Sequence, residues 1–322
     1  MQNLLAIVLV SILLAIPHSA RAQHADLAAQ DLRLARVADA MLIGNNRLCR
    51  KSMPVTGIIL HSADQYGEGA DRLFPYGPLA IAAIVPGSAA EVAGLEANDG
   101  ITAINSQPVS RILPEPKDHL RETAFFMLAD LKENDEVDLT INRSGKELDI
   151  VLRAPMGCRA LVEVLTTGDF NARSDGRIMQ VQYDFALRLS GDQLAVIVAH
   201  ELAHSVLEHR RRKEAAGIDN ATILRNIGRN QQVNLQAEIE ADRLSVHLLS
   251  NAGYDPMIAP ELWRSAEGVI AGGGDMPSLI YPSQSARADI VEQEISRFLR
   301  LRRGPSWPGH LLRWRDSSFV KN

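Results

Sequence analysis

The apolar positions of this chain follow two different periods, and the changes between them mark its parts. From Ala25 to about Asn45 an amphipathic pattern runs through Leu27, Leu32, Leu34, Val37, Met41 and Leu42, which predicts a helix stopped by Gly44-Asn45-Asn46. From about residue 51 to 155 the apolar runs are short. Ile58-Ile59-Leu60 and Leu79 to Val85 are strand candidates, and Val137-Asp138-Leu139-Thr140-Ile141-Asn142 alternates, turns at Ser144-Gly145 and returns through Leu148 to Leu152 as a hairpin. Leu161 to Leu165 and Ile178 to Gln182 predict two more strands, around the turn Ser174-Asp175-Gly176. The rest is helical in period, and Ser190 with Gln193 forms a capping box that opens a helix through Val196 to His204. The fold expected is α+β: a mostly helical domain with a small sheet, built from residues 23–50 and 156–322, carrying a β-rich domain of residues 51–155 inserted near its N-terminus.

Ahead of these parts, Leu4 to Ile16 is a 13-residue run, apolar apart from Ser11, followed by Pro17 and the small-x-small sequence Ala20-Arg21-Ala22. Such a run is too short to cross a bilayer core and reads as a secretory signal of residues 1–22, although no Lys or Arg precedes it. Cleavage after Ala22 and retention as an anchor are the two outcomes; cleavage gives an exported, periplasmic chain with no integral membrane segment. A net charge of −5 gives no reason to expect nucleic acid as a partner. The basic run His209-Arg210-Arg211-Arg212-Lys213 complements the dipole at a helix end. In an oxidising compartment the only two cysteines, Cys49 and Cys158, are expected to pair and staple the base of the inserted domain, the alternative being two buried thiols.

The chemistry is concentrated in Val196-Ile197-Val198-Ala199-His200-Glu201-Leu202-Ala203-His204. His200 and His204 are four residues apart and share one helix face, so both can grip one zinc ion, while Glu201 beside them can reach a metal-activated water as general base. Catalytic zinc takes three protein ligands and keeps one position open. His209 lies about 180° around an unbroken helix from His200 and is read as structural. The third ligand is expected in Ala237-Glu238-Ile239-Glu240-Ala241-Asp242-Arg243, where Glu238 and Asp242 share a face and Glu240 points away. One carboxylate of that pair would ligate and the other would orient a histidine through its free N–H.

These residues together resemble the zinc metallopeptidase family that includes CAAX prenyl proteases, HtpX and the mitochondrial Oma proteases. The likeness rests on Ala199 to His204 with His209 following, on Glu238 to Asp242, on Asn171-Ala172 and Asp175-Gly176, and on Gly253-Tyr254-Asp255-Pro256. It implies a gluzincin-type peptidase domain in which His200, His204 and Glu238 bind one Zn2+, Glu201 is the base and Asp242 supports the ligands. The family's His-Pro followed by an Arg six positions after the His, close to its active site, corresponds here to Tyr281-Pro282 and Arg287, and the resemblance implies that Tyr281 and Arg287 join Glu201 as catalytic residues. Tyr281 then either donates a hydrogen bond to an oxyanion or only packs, and Gly272-Gly273-Gly274 upstream suggests a gating segment.

Within the insert, Val85-Pro86-Gly87-Ser88, Ala93-Gly94-Leu95 and Asp99-Gly100-Ile101 to Asn105 resemble bacterial PDZ domains, with Asn98 and Ser106 in place of the usual glycines. The resemblance implies a second helix over Leu120 to Leu131 beside a peptide groove, with the carboxylate-binding loop near Tyr76-Gly77-Pro78-Leu79. The function expected is an exported zinc endopeptidase acting on unfolded or damaged envelope proteins, with Ile178 to Gln182 pairing substrate as an edge strand. Its partners would be protein or peptide substrates and a C-terminal peptide ligand of the PDZ-like domain. The alternative is an inactive or latched PDZ adaptor or chaperone of the cell envelope.

Overall fold

The computed structural model describes residues 18–66, 72–116, 118–133, 135–166, 171–174, 176–218, 228–272 and 282–319. Most of the secretory-signal pattern, residues 273–281 and hence Tyr281 lie outside them. In chain order the first elements are α1 (His18–Gly44), β1 (Ser52–Pro54), β2 (Ile58–Ser62), β3 (Leu79–Ile84), α2 (Ala89–Val92), β4 (Gly100–Ile104) and β5 (Gln107–Pro108). There follow α3 (Leu120–Ala129), β6 (Val137–Arg143), β7 (Lys146–Leu152), β8 (Met156–Cys158), β9 (Leu161–Leu165), β10 (Ala172–Ser174) and β11 (Ile178–Gln182). The remainder is helical: α4 (Tyr183–Arg188), α5 (Gly191–Val206), α6 (His209–Ala215), α7 (Gly228–Asn251), α8 (Ile258–Arg264), α9 (Ala266–Ala271), α10 (Gln284–Phe298) and α11 (Gly309–Leu312).

The larger core is helix on helix. The chain enters α5 through a capping box in which Ser190 Oγ accepts from Gln193 N and Gln193 Oε1 accepts from Ser190 N. Every residue from Leu194 to His200 is buried, so α5 is wrapped on all sides: α7, α1 and α8 pack on it, and α10 covers α7 and α8. A three-stranded sheet of order β10-β11-β9 lies alongside, with β11 parallel to β9 and antiparallel to β10. The strand Ile178 to Gln182, expected at an edge, is therefore central. The edge is β10, three residues whose pattern is too short to signal a strand.

The insert has its own core, including Leu79, Ile81, Ile101, Ile104, Leu139 and Ile141. Its sheet runs β2-β3-β4-β6-β7, all antiparallel, with β5 beside β4 and α3 packed on β2 and β4. The two chain crossings at its base pair as β1 and β8, Ser52 opposite Cys158, and Cys49 is bridged to Cys158 with a Cα–Cα distance of 5.5 Å. Asn98, Asn105 and Ser106 all hold left-handed backbone, at φ 72°, 47° and 64°. For the asparagines this is cheap; for Ser106 it costs about 1 kcal/mol.

The sheet edge beside α3 is β2, not β3, so the loop Tyr76 to Leu79 lies at an interior strand. The turn before the edge strand is Val55-Thr56-Gly57 instead, where Gly57 has φ +77° and a Cβ would stand 2.1 Å from Ser88 Cβ. This edge faces the helical domain. A cavity beside it is walled by Gly57, Ile58 and Phe125 on one side and by Asp31, Asp39 and Leu161 of α1 and β9 on the other. Arg121 of α3 forms an ion pair with buried Glu163 of β9 across this junction. Among the described residues no helix is long and apolar enough to cross a membrane.

Candidate metal centre

α5 and α7 pack side by side, and their facing surfaces place three donor atoms around one point. His200 Nε2 and His204 Nε2, one turn apart on α5, are 3.2 Å from each other. Glu238 Oε2, from α7, is 3.2 Å from His200 Nε2 and 3.7 Å from His204 Nε2. Tetrahedral ligation at about 2.0–2.1 Å sets nitrogen and oxygen donors roughly 3.3–3.4 Å apart, so this triangle has the size of one face of a zinc tetrahedron. The residues fit zinc.

The donors are held from behind. His200 Nδ1 is 3.0 Å from Asp242 Oδ1, one turn beyond Glu238 on α7. Arg287 of α10 grips Asp242 with two bonds, Nε to Oδ2 at 2.8 Å and Nη2 to Oδ1 at 2.6 Å, and stacks 3.4 Å over the Trp263 ring. With its Nδ1–H donated to Asp242, His200 would turn Nε2 toward a metal ion. Arg287 thus stands behind a histidine.

His204 has a support of its own. Its Nδ1 is 2.8 Å from Nδ1 of His209, whose Nε2 is 3.1 Å from Glu240 Oε2. Glu240 is held by Arg212 Nη1 at 2.6 Å and by Gln236 Nε2 at 2.8 Å. Sequence reasoning missed both His209 and Glu240. An unbroken helix would aim His209 away, but α5 ends at Val206, Glu208 takes a left-handed φ of 57°, and α6 starts at His209 with its ring turned back. Neither Gly nor Pro marks the break, so no signal in the sequence locates it. Glu240 does point away from Glu238, yet that direction leads into the protein, where the side chain is 2% exposed.

The electrostatics follow from this wiring. Burial disfavours a charged His200, but hydrogen bonds to Asp242 and Glu238 prevail and its pKa stands at about 9. Burial likewise opposes ionisation of Glu238, yet the two histidines hold its carboxyl well below the usual range. His209 goes the other way, pushed down to about 3 by burial, and is a neutral ring. Burial raises the Glu201 carboxyl above its ordinary value. Glu201 lines the same cavity as His200, His204 and Glu238, together with Ala172 and Ser174 of the β10 edge and with Lys213.

A PDZ domain model matches residues 81–143, which run from β3 to β6. No curated protein matches the chain. Among solved structures, an HtrA-type protease, AlgW with a decapeptide, is similar at 14% identity with a TM-score of 0.25, over 33% of this chain and 30% of that one. The match therefore spans about a third of that protein's length. Residues 81–143, set within the insert, are a PDZ domain.

Proposed function

We propose that this protein is a zinc-dependent endopeptidase, exported to the periplasm, with a PDZ domain set into the N-terminal part of a gluzincin-type domain. The observation that carries the reading is the donor triangle of His200, His204 and Glu238, with a separate support behind each histidine. Zinc bound there would supply the Lewis acidity that acidifies water and polarises a scissile carbonyl. The other roles fall to the chain. Glu201 takes the proton of the attacking water on a carboxylate oxygen and passes it to the leaving amine nitrogen. Asp242 and Glu240, the latter through His209, fix the tautomers that leave both Nε2 atoms free. The β10 edge, next to the ligands, offers backbone pairing to an extended substrate and so reads sequence weakly, which suits unfolded or damaged envelope proteins. The bridge between Cys49 and Cys158 fits an oxidising compartment.

The test is zinc content and cleavage of casein by the chain from residue 23, beside Glu201→Gln. Stoichiometric zinc in both proteins, with the variant's turnover at least about a hundredfold lower, is the expected result. Absence of zinc from both would end the assignment. A second reading is a latched form of this enzyme, since α1 and β9 wall the cavity beside the groove between β2 and α3. Deleting residues 52–155 distinguishes the readings, since activity rises if the insert restrains the enzyme and falls on tailed substrates if it recruits them.

A further inference from the structure

A second group of donors lies farther along α7, where it meets α10 and α11. His247 of α7, Glu294 of α10 and His310 of α11 converge so that His247 Nε2 is 3.0 Å and His310 Nε2 is 2.6 Å from one atom, Glu294 Oε1. His247 and Glu294 have side chains only 1% and 3% exposed, and that of His310 is 25% exposed. Each donor is oriented from outside the group. Ser306 Oγ is 2.7 Å from His247 Nδ1, Arg243 Nε donates to the other Glu294 oxygen at 2.8 Å, and the His310 ring stacks on Phe298 at 3.9 Å. His247 and Glu294 are thus held by their rear atoms, as metal-site donors are, while the front atoms of all three side chains converge.

We infer that His247, Glu294 and His310 form a second divalent-metal site, one that takes zinc and ties α10 and the C-terminal segment to α7. The donor set is two imidazoles and one carboxylate, which suits zinc over calcium or magnesium. Two features separate it from the first centre. Glu294 Oε1 is closer to each ring nitrogen than the roughly 3.3 Å edge of a zinc tetrahedron, so an ion must spread these contacts by several tenths of an ångström. His310 sits on a helix of four residues and is the most exposed of the three, so it gives way. Second, no carboxylate in the described surroundings stands in the place that Glu201 holds at the first centre. The site is structural. It acts on the helix pair that holds Arg287 against Asp242, because α7 carries Asp242 and His247 while α10 carries Arg287 and Glu294.

Without an ion the three side chains still satisfy one another, Glu294 accepting an N–H from each ring, and the experiment separates these two states. Demetallated protein is titrated with zinc and its bound metal counted by mass spectrometry, for the wild type, His204→Ala, His310→Ala and Glu294→Gln. Two equivalents in the wild type are expected. His310→Ala and Glu294→Gln should each lose one equivalent, with affinity for it at least about 100-fold weaker. His204→Ala should lose the other equivalent, so failure of the first centre is read apart from failure of the second. Circular dichroism of Glu294→Gln, which keeps the side chain's size and one acceptor, checks that loss of metal is not loss of fold. One equivalent in the wild type, unchanged by His310→Ala, overturns the inference. Two equivalents that survive both second-site variants overturn it equally.

Discussion

The two histidines of the first centre are supported by unlike means. Behind His200 stands an anion, Asp242, neutralised by Arg287; behind His204 stands a neutral ring, His209, which passes the influence of Glu240 one bond further. An imidazole acceptor fixes a tautomer as firmly as a carboxylate does but adds no charge at the ring, so His204 should be the weaker electron donor of the pair. His209→Ala removes that acceptor and leaves Glu240 and Arg212 paired with each other. We expect zinc affinity to fall about 10- to 100-fold, with the fold retained. A chelator competition against the wild type measures it, and an unchanged affinity would mean that His209 only fills space. Replacing Asp242 is a harsher change, since Arg287 would then be a buried cation without its carboxylate.

At the scale of elements, α1 carries an anomaly. Asp39 faces the junction with the insert, and burial raises its pKa to about 7. The sign follows from proton counting. A carboxyl whose folded pKa lies above its unfolded value keeps protons that the unfolded chain has lost, so stability falls as pH rises from about 4 to 7. Asp39→Asn should thus stabilise the protein at pH 8 by roughly 1–2 kcal/mol, a figure discounted for the solvent the side chain retains, and do little at pH 4. Urea unfolding at the two pH values checks it, and an equal effect at both would show that charge is not the cause.

The same scale shows what the sequence made legible. Helices α1, α5 and α7, the β6–β7 hairpin and strands β2, β3, β9 and β11 all announce themselves by period, because each buries a face wide enough to need several apolar residues. So do His200, His204, Glu238 and Asp242, which sit four apart on helices. What stayed hidden depends on interruption or on company. The kink at Leu207-Glu208 lacks Gly or Pro, β10 is three residues long, and β2 rather than β3 lies at the edge because of how strands are ordered in space. The convergence of His247 with His310, 63 positions later, has no local signature at all.

Across the whole molecule, the insert is joined to the rest at one point and leans on it at another. The join is the β1–β8 pair with the bridge of Cys49 to Cys158; the contacts include Arg121 of α3 against Glu163 of β9. With the two cysteines 109 positions apart in sequence, the bridge is worth about 4–5 kcal/mol in the chain-entropy view, and reductant should lower the melting temperature accordingly. A second consequence concerns damage. Any cut in the chain between the two cysteines leaves pieces that remain covalently one molecule. A chain nicked by a neighbouring protease in the PDZ domain should run as a single band on a gel without reductant and as two bands with it. If the proposed peptidase activity survives in that nicked form, the protein can lose the continuity of its insert without losing the α1 helix that lies upstream of the break.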